Sequence, residues 1–111
     1  MQKTAILYGI KACDTCRKAR QELEKEGYSV DFRDVRDIPL ASSKIEGFLA
    51  HFGDRLLNKR STTWRGLSEA ERAQAPVALL SEHPTLMKRP VIEAAETTLG
   101  WDATARHAHL G

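Results

Sequence analysis

The stretch TAILYGIKACDTCRKARQELEKEGYSVDFRDV, residues 4–35, decides the fold. It opens on the apolar run TAILYG, which ends at Gly9 and reads as a short buried strand. From Asp14 to Glu26 the spacing becomes helical. Cys16, Ala19 and Leu23 share one face, with the stem of Arg20 beside them, and Gly27 is a natural stop. YSVDFRDV then alternates Tyr28, Val30 and Phe32 with Ser29, Asp31 and Arg33, the pattern of a strand with one buried face. Strand, helix and strand in this order predict a parallel pair joined by a crossover helix.

Beyond Pro39, the residues Leu40, Ile45, Phe48, Leu49 and Phe52 form a helical stripe that Gly53 ends. RLLNKRSTTWRGLS reads as an arginine-rich loop. Ser68 caps a short helix, EAERAQA, with Glu71 at the capping-box offset. PVALLSEHP is another short helix, stopped before Pro84. LMKRPVIEAA is a strand entered through an Arg-Pro step, TTLGW is its partner with Glu96 near the turn, and DATARHAHLG is a last helix capped by Asp102. The expected class is therefore α/β: a β-α-β … β-β-α core, about residues 1–38 and 84–111, with a helical insertion over about 39–83, together forming a single domain.

The composition narrows the function classes. The 111 residues are 41% hydrophobic and 29% charged, a globular rather than a disordered balance. Seventeen basic against fifteen acidic residues leave a net charge of +2, too even for bulk attraction to nucleic acid. No apolar run reaches the length of a membrane span. MQKTAILYGIKAC reads as a first strand and not as a signal peptide, so a cytoplasmic location is expected. There a cysteine pair is more often catalytic or regulatory than structural.

Cys13 and Cys16 are the only cysteines, spaced C-x-x-C. A zinc site wants four ligands, and His51, His83, His107 and His109 do not supply the spacing that would complete one, so no metal is expected. A staple closing so short a loop restricts little chain entropy. Redox or nucleophilic chemistry fits better: C-x-x-C after a strand and at a helix start, within β-α-β, is the thioredoxin-like arrangement. The helix N-terminus stabilises a thiolate on Cys13, Lys11 and Arg17 add positive charge, and Cys16, one turn in, can resolve a mixed disulfide. Two buried small residues with no chemistry remain the alternative.

YGIKACDTCRKARQEL, LLNKRSTTWR, LMKRPV and a late LGW occur in this order, and together they resemble the ArsC (arsenate reductase) family, most closely its Spx/YffB-type branch. The resemblance runs from about Ile6 to Trp101. It implies a thioredoxin-like fold with a helical insertion, a nucleophilic Cys13, Arg89 beside the thiolate, and a cis bond between Arg89 and Pro90. It also makes Arg60 a site residue, with Arg65 and Trp64 weaker candidates. In the glutathione-dependent arsenate reductases of this family three arginines surround the oxyanion. Here Asn58 stands two residues before Arg60 at the insertion position, and the third position falls near Asp102, whose carboxylate repels arsenate. The resemblance thus points away from arsenate itself.

Two functions follow. One is a cytoplasmic thiol-dependent reductase: Cys13 attacks an oxyanion or a disulfide, Arg89 and Arg60 orient the anionic partner, and Cys16 or glutathione resolves the intermediate. No bound cofactor is expected, glutathione is the reductant, and glutaredoxin or another redox protein is a further partner. The other is a Spx-type redox-switched regulator, which binds RNA polymerase through a Cys13–Cys16 disulfide switch and does not contact nucleic acid directly.

Overall fold

The structure, a computed structural model, describes residues 3–111. Its elements are β1 (Lys3–Gly9), α1 (Asp14–Lys25), β2 (Tyr28–Asp34), α2 (Ser42–Phe52), a 3-10 turn (Gly53–Leu56), α3 (Thr62–Arg65), α4 (Glu69–Arg72), α5 (Pro76–Glu82), a second 3-10 turn (Pro84–Leu86), β3 (Val91–Glu93), β4 (Thr97–Leu99) and α6 (Ala103–Leu110). They divide into two compact units, one reaching through Asp34 and resuming at Arg89–Gly111, the other Val35–Lys88.

The first unit is a four-stranded sheet in the order β2-β1-β3-β4. β1 and β2 are parallel, as the crossover helix requires, while β3 runs antiparallel to β1 and β4 antiparallel to β3. Ala5 and Leu7 of β1, Ile92 of β3 and the Cys16, Ala19 and Leu23 stripe of α1 form the buried core. Tyr28, Val30 and Phe32 pack against it, and Ser29, Asp31 and Arg33 are exposed, the alternation expected of β2. Asp34 continues the inward row and is buried. The α/β class and the thioredoxin-like β-α-β … β-β-α order both hold.

In the second unit α2 packs on α5, with Ile45, Phe48, Leu79 and Leu80 buried. The chain before Arg89 is tied to the chain after the first 3-10 turn by backbone bonds. Asn58 N–H donates to Leu86 O (2.9 Å), Lys88 N–H donates to Leu56 O (2.7 Å), and Leu57 and Met87 form an isolated bridge.

Local expectations fail where propensity and tertiary packing disagree. Leu40 lies outside its helix, which starts two residues later at Ser42. The arginine-rich loop contains helical turns at Gly53–Leu56 and Thr62–Arg65, the latter capped by the Ser61 hydroxyl, which accepts from Trp64 N–H. LMKRPVIEAA is a strand only over Val91–Glu93, because the residues before Arg89 bond within the second unit instead.

Candidate functional site

The ends of β1 and β2 and the start of α1 build the site. Cys13 is the N-cap residue of α1: its backbone is extended (φ −83°, ψ 119°), and its carbonyl accepts the first helical bond from Arg17 N–H (3.0 Å). The preceding turn is closed by Cys13 N–H donating to Ile10 O (2.9 Å). Cys13 is half-buried, and Cys16, one turn on, is fully buried. Gly9 makes room for that second thiol. A Cβ at Gly9 would lie 2.5 Å from Cys16 Sγ, so no larger residue fits while Cys16 keeps its place.

The acidities of the two thiols are shifted in opposite directions. Burial alone pushes Cys13 up, but it accepts hydrogen bonds from the Cys16 backbone N–H, the Cys16 thiol and Arg89, whose charge adds to them, and the net pKa falls below the ordinary thiol value. Burial pushes Cys16 up to about 12; an Ile10 hydrogen bond and the Arg89 charge oppose this, while Cys13 reinforces it. The arrangement places the more acidic thiol at the N-terminus of α1, where the helix dipole favours its ionised form, and the less acidic thiol beneath it.

Arg89, half-buried, reaches Cys13 from the far side of the fold's sequence, and its peptide bond to Pro90 is cis. Pro90 is buried ahead of β3, and its carbonyl accepts from Gly100 N–H (2.8 Å). Cys13, Cys16, Arg89 and Pro90 thus all belong to the first unit. Lys11 is exposed in the turn before Cys13. Arg17 is exposed too, and its guanidinium pairs with the Asp14 carboxylate. Arg60 belongs to the second unit, is exposed, and donates its backbone N–H to Asn58 Oδ1 (3.2 Å). Trp64 lies under two cations of that unit, with Lys59 Nζ 5.6 Å and the Arg72 guanidinium carbon 5.3 Å from the ring. Asp102 caps α6, its Oδ1 accepting from Ala105 N–H (2.9 Å).

Sequence reasoning passed over Asp34, whose Oδ2 accepts from Lys11 N–H (2.8 Å). The signal was present: residues 28, 30, 32 and 34 fall on one face of β2, so a polar residue closing that row is turned inward. Among the described residues no group of histidine, cysteine, aspartate and glutamate is placed to hold a metal, and no helix is long and apolar enough to cross a membrane.

The sequence model of the ArsC family matches residues 8–106. The chain belongs to the ArsC family. It is 40% identical over 91 residues to an uncharacterized protein of Haemophilus influenzae, covering 78% of this chain and 80% of that one. It is 32% identical over 92 residues to the global transcriptional regulator Spx of Bacillus subtilis, covering 78% of this chain and 70% of the regulator. The solved structure of the YFFB (PA3664) protein superposes with a TM-score of 0.86 at 34% identity, covering 96% of this chain and 99% of that one. This ArsC-family chain therefore has relatives both toward the YffB-type proteins and toward the Spx regulators.

Proposed function

We propose that the chain is a thiol-dependent reductase of the ArsC family, with Cys13 as nucleophile and glutathione as the ordinary reductant. The observation that carries this reading is the Arg89 guanidinium bonded to a Cys13 thiol at the N-cap of α1, with a protonated Cys16 below. On a disulfide, the Cys13 thiolate attacks one sulfur, forms a mixed disulfide and expels the other half as a thiolate. That step removes the Cys13 charge, which helps hold the Cys16 proton. Cys16 then gives its proton to the departing thiolate or to solvent and attacks the Cys13 sulfur. This closes a Cys13–Cys16 disulfide and releases the second half of the substrate. Two external thiols return the pair to the reduced state by the reverse exchanges. Where glutathione attacks the mixed disulfide directly, Cys16 is dispensable.

Arg89 orients the anionic partner, Arg60 is assigned the same role, and Lys11, Arg17 and Pro90 are assigned to the substrate-binding wall. Arsenate is not the proposed substrate, since Asp102 places a carboxylate where the resemblance expects a third arginine. The whole chain acts as one cytoplasmic domain, with a small thiol or a glutaredoxin-like protein as electron donor. The test is turnover of a glutathione mixed disulfide by the Cys13→Ser and Cys16→Ser variants. Loss in the first and partial retention in the second is expected, and full turnover by Cys13→Ser rejects the nucleophile.

The Spx relative favours a second reading, a redox-switched regulator whose partner is RNA polymerase. It requires no turnover, but requires the reduced and oxidised chains to bind that partner with different affinities.

A further inference from the structure

Asp34 is the last residue of β2, pairs in register with Gly9 of β1, and is 6% exposed. A buried carboxyl is costly unless it is hydrogen-bonded, and here Oδ2 receives the Lys11 backbone N–H at 2.8 Å. Lys11 lies inside the turn closed by the Ile10–Cys13 backbone bond. The chain between the end of β1 and the start of α1 is therefore pinned twice, once to itself and once to the neighbouring strand. Cys13 hangs from that turn, and the hydrogen bonds from Cys16 and Arg89 reach its sulfur only if the turn holds it in place.

We infer that Asp34 is a positioning residue for the Cys13 thiolate, acting through the Lys11 N–H and not through its own charge. This rests on Cys13 being the reacting thiolate. The sign of the effect separates the two routes. A negative charge near a thiolate disfavours it, so if Asp34 acted by its field, removing the charge would lower the Cys13 pKa. If it acts as an anchor, removing the acceptor loosens the turn, and the pKa rises.

The experiment is an ultraviolet thiolate titration of the reduced full chain, with folding followed by near-ultraviolet circular dichroism. Asp34→Ala is expected to raise the Cys13 pKa by about one unit, roughly a tenfold loss of thiolate at a pH below it. Asp34→Asn, which keeps an acceptor and drops the charge, is expected to show no rise. Lys11→Pro removes the donor at a turn position that suits proline, and Lys11→Ala keeps the N–H; the first is expected to titrate higher than the second. If Asp34→Ala does not fold, the Lys11 pair decides. An unchanged or lowered pKa in Asp34→Ala, or equal values for the two Lys11 variants, overturns the inference. A wild-type Cys13 that titrates as an ordinary thiol would instead overturn the reductase reading, whatever the variants do relative to it.

Discussion

Two sulfur atoms one helical turn apart are shifted in acidity in opposite directions because their surroundings differ. Cys13 has donors from Arg89 and Cys16 and the open end of α1; Cys16 has an apolar core and the close passage of β1 at Gly9. Arg89→Ala removes both a hydrogen bond and a charge from the thiolate. The Cys13 pKa should rise, with a parallel slowing of alkylation near neutral pH; an unchanged titration would place Arg89 outside the site. Gly9→Ala forces Cys16 aside, since the new methyl would stand 2.5 Å from its sulfur. The expected result is a loss of stability of about 1–3 kcal/mol in urea unfolding, together with a weaker tendency to form the Cys13–Cys16 disulfide on oxidation. Asp102, read from the sequence as a charge that disfavours arsenate, also has a structural duty as a helix cap.

Among the elements, the short helices depend on their caps more than on propensity, because so few residues cannot offset the cost of the first turn. Ser68 and Glu71 satisfy each other's backbone donors at α4, at 3.1 and 2.9 Å, and the Ser68 backbone and hydroxyl hold the Glu71 carboxyl below the usual carboxylate range. α6 runs for only eight residues and leans on Asp102 at its start. Asp102→Ala should cost about 1 kcal/mol in chemical denaturation, while Asp102→Ser should recover most of it; equal stability of the two variants would remove the cap from the account. The capping box of α4 was legible in the sequence as S-x-x-E. The α3 turn was not, because TTWR carries no period and its helix follows from Ser61 accepting Trp64 N–H.

In the molecule as a whole, His109 is where the terminal helix meets the sheet. The sequence marked it as nothing, yet it is buried, its Nε2 lies 2.8 Å from Thr98 Oγ1, and its carbonyl accepts from the Tyr28 hydroxyl (2.9 Å). Burial holds its pKa below the ordinary imidazole value, with Glu96 opposing the shift. The unfolded chain therefore takes up a proton that the folded chain refuses. The stability this contributes is present above the unfolded value of about 6.5 and is lost as pH falls from there toward the folded value. Urea midpoints measured from about pH 7.5 down to 5 should fall in the wild type and fall less in His109→Gln; parallel curves would discharge His109 from this role. The sequence by itself determined the β-α-β start, the buried face of α1, the α/β class and the pairing of a helix-start cysteine with a second thiol. Each of these rests on periodicity or on a helix terminus, which are local properties. Only the tertiary structure decided how deeply Cys16 is buried, that Gly9 must lack a side chain, that the Asp34 carboxylate meets the Lys11 N–H, and that His109 is core. Each of those depends on atoms distant in the chain coming within a few ångströms, where burial and hydrogen bonding set the charge state.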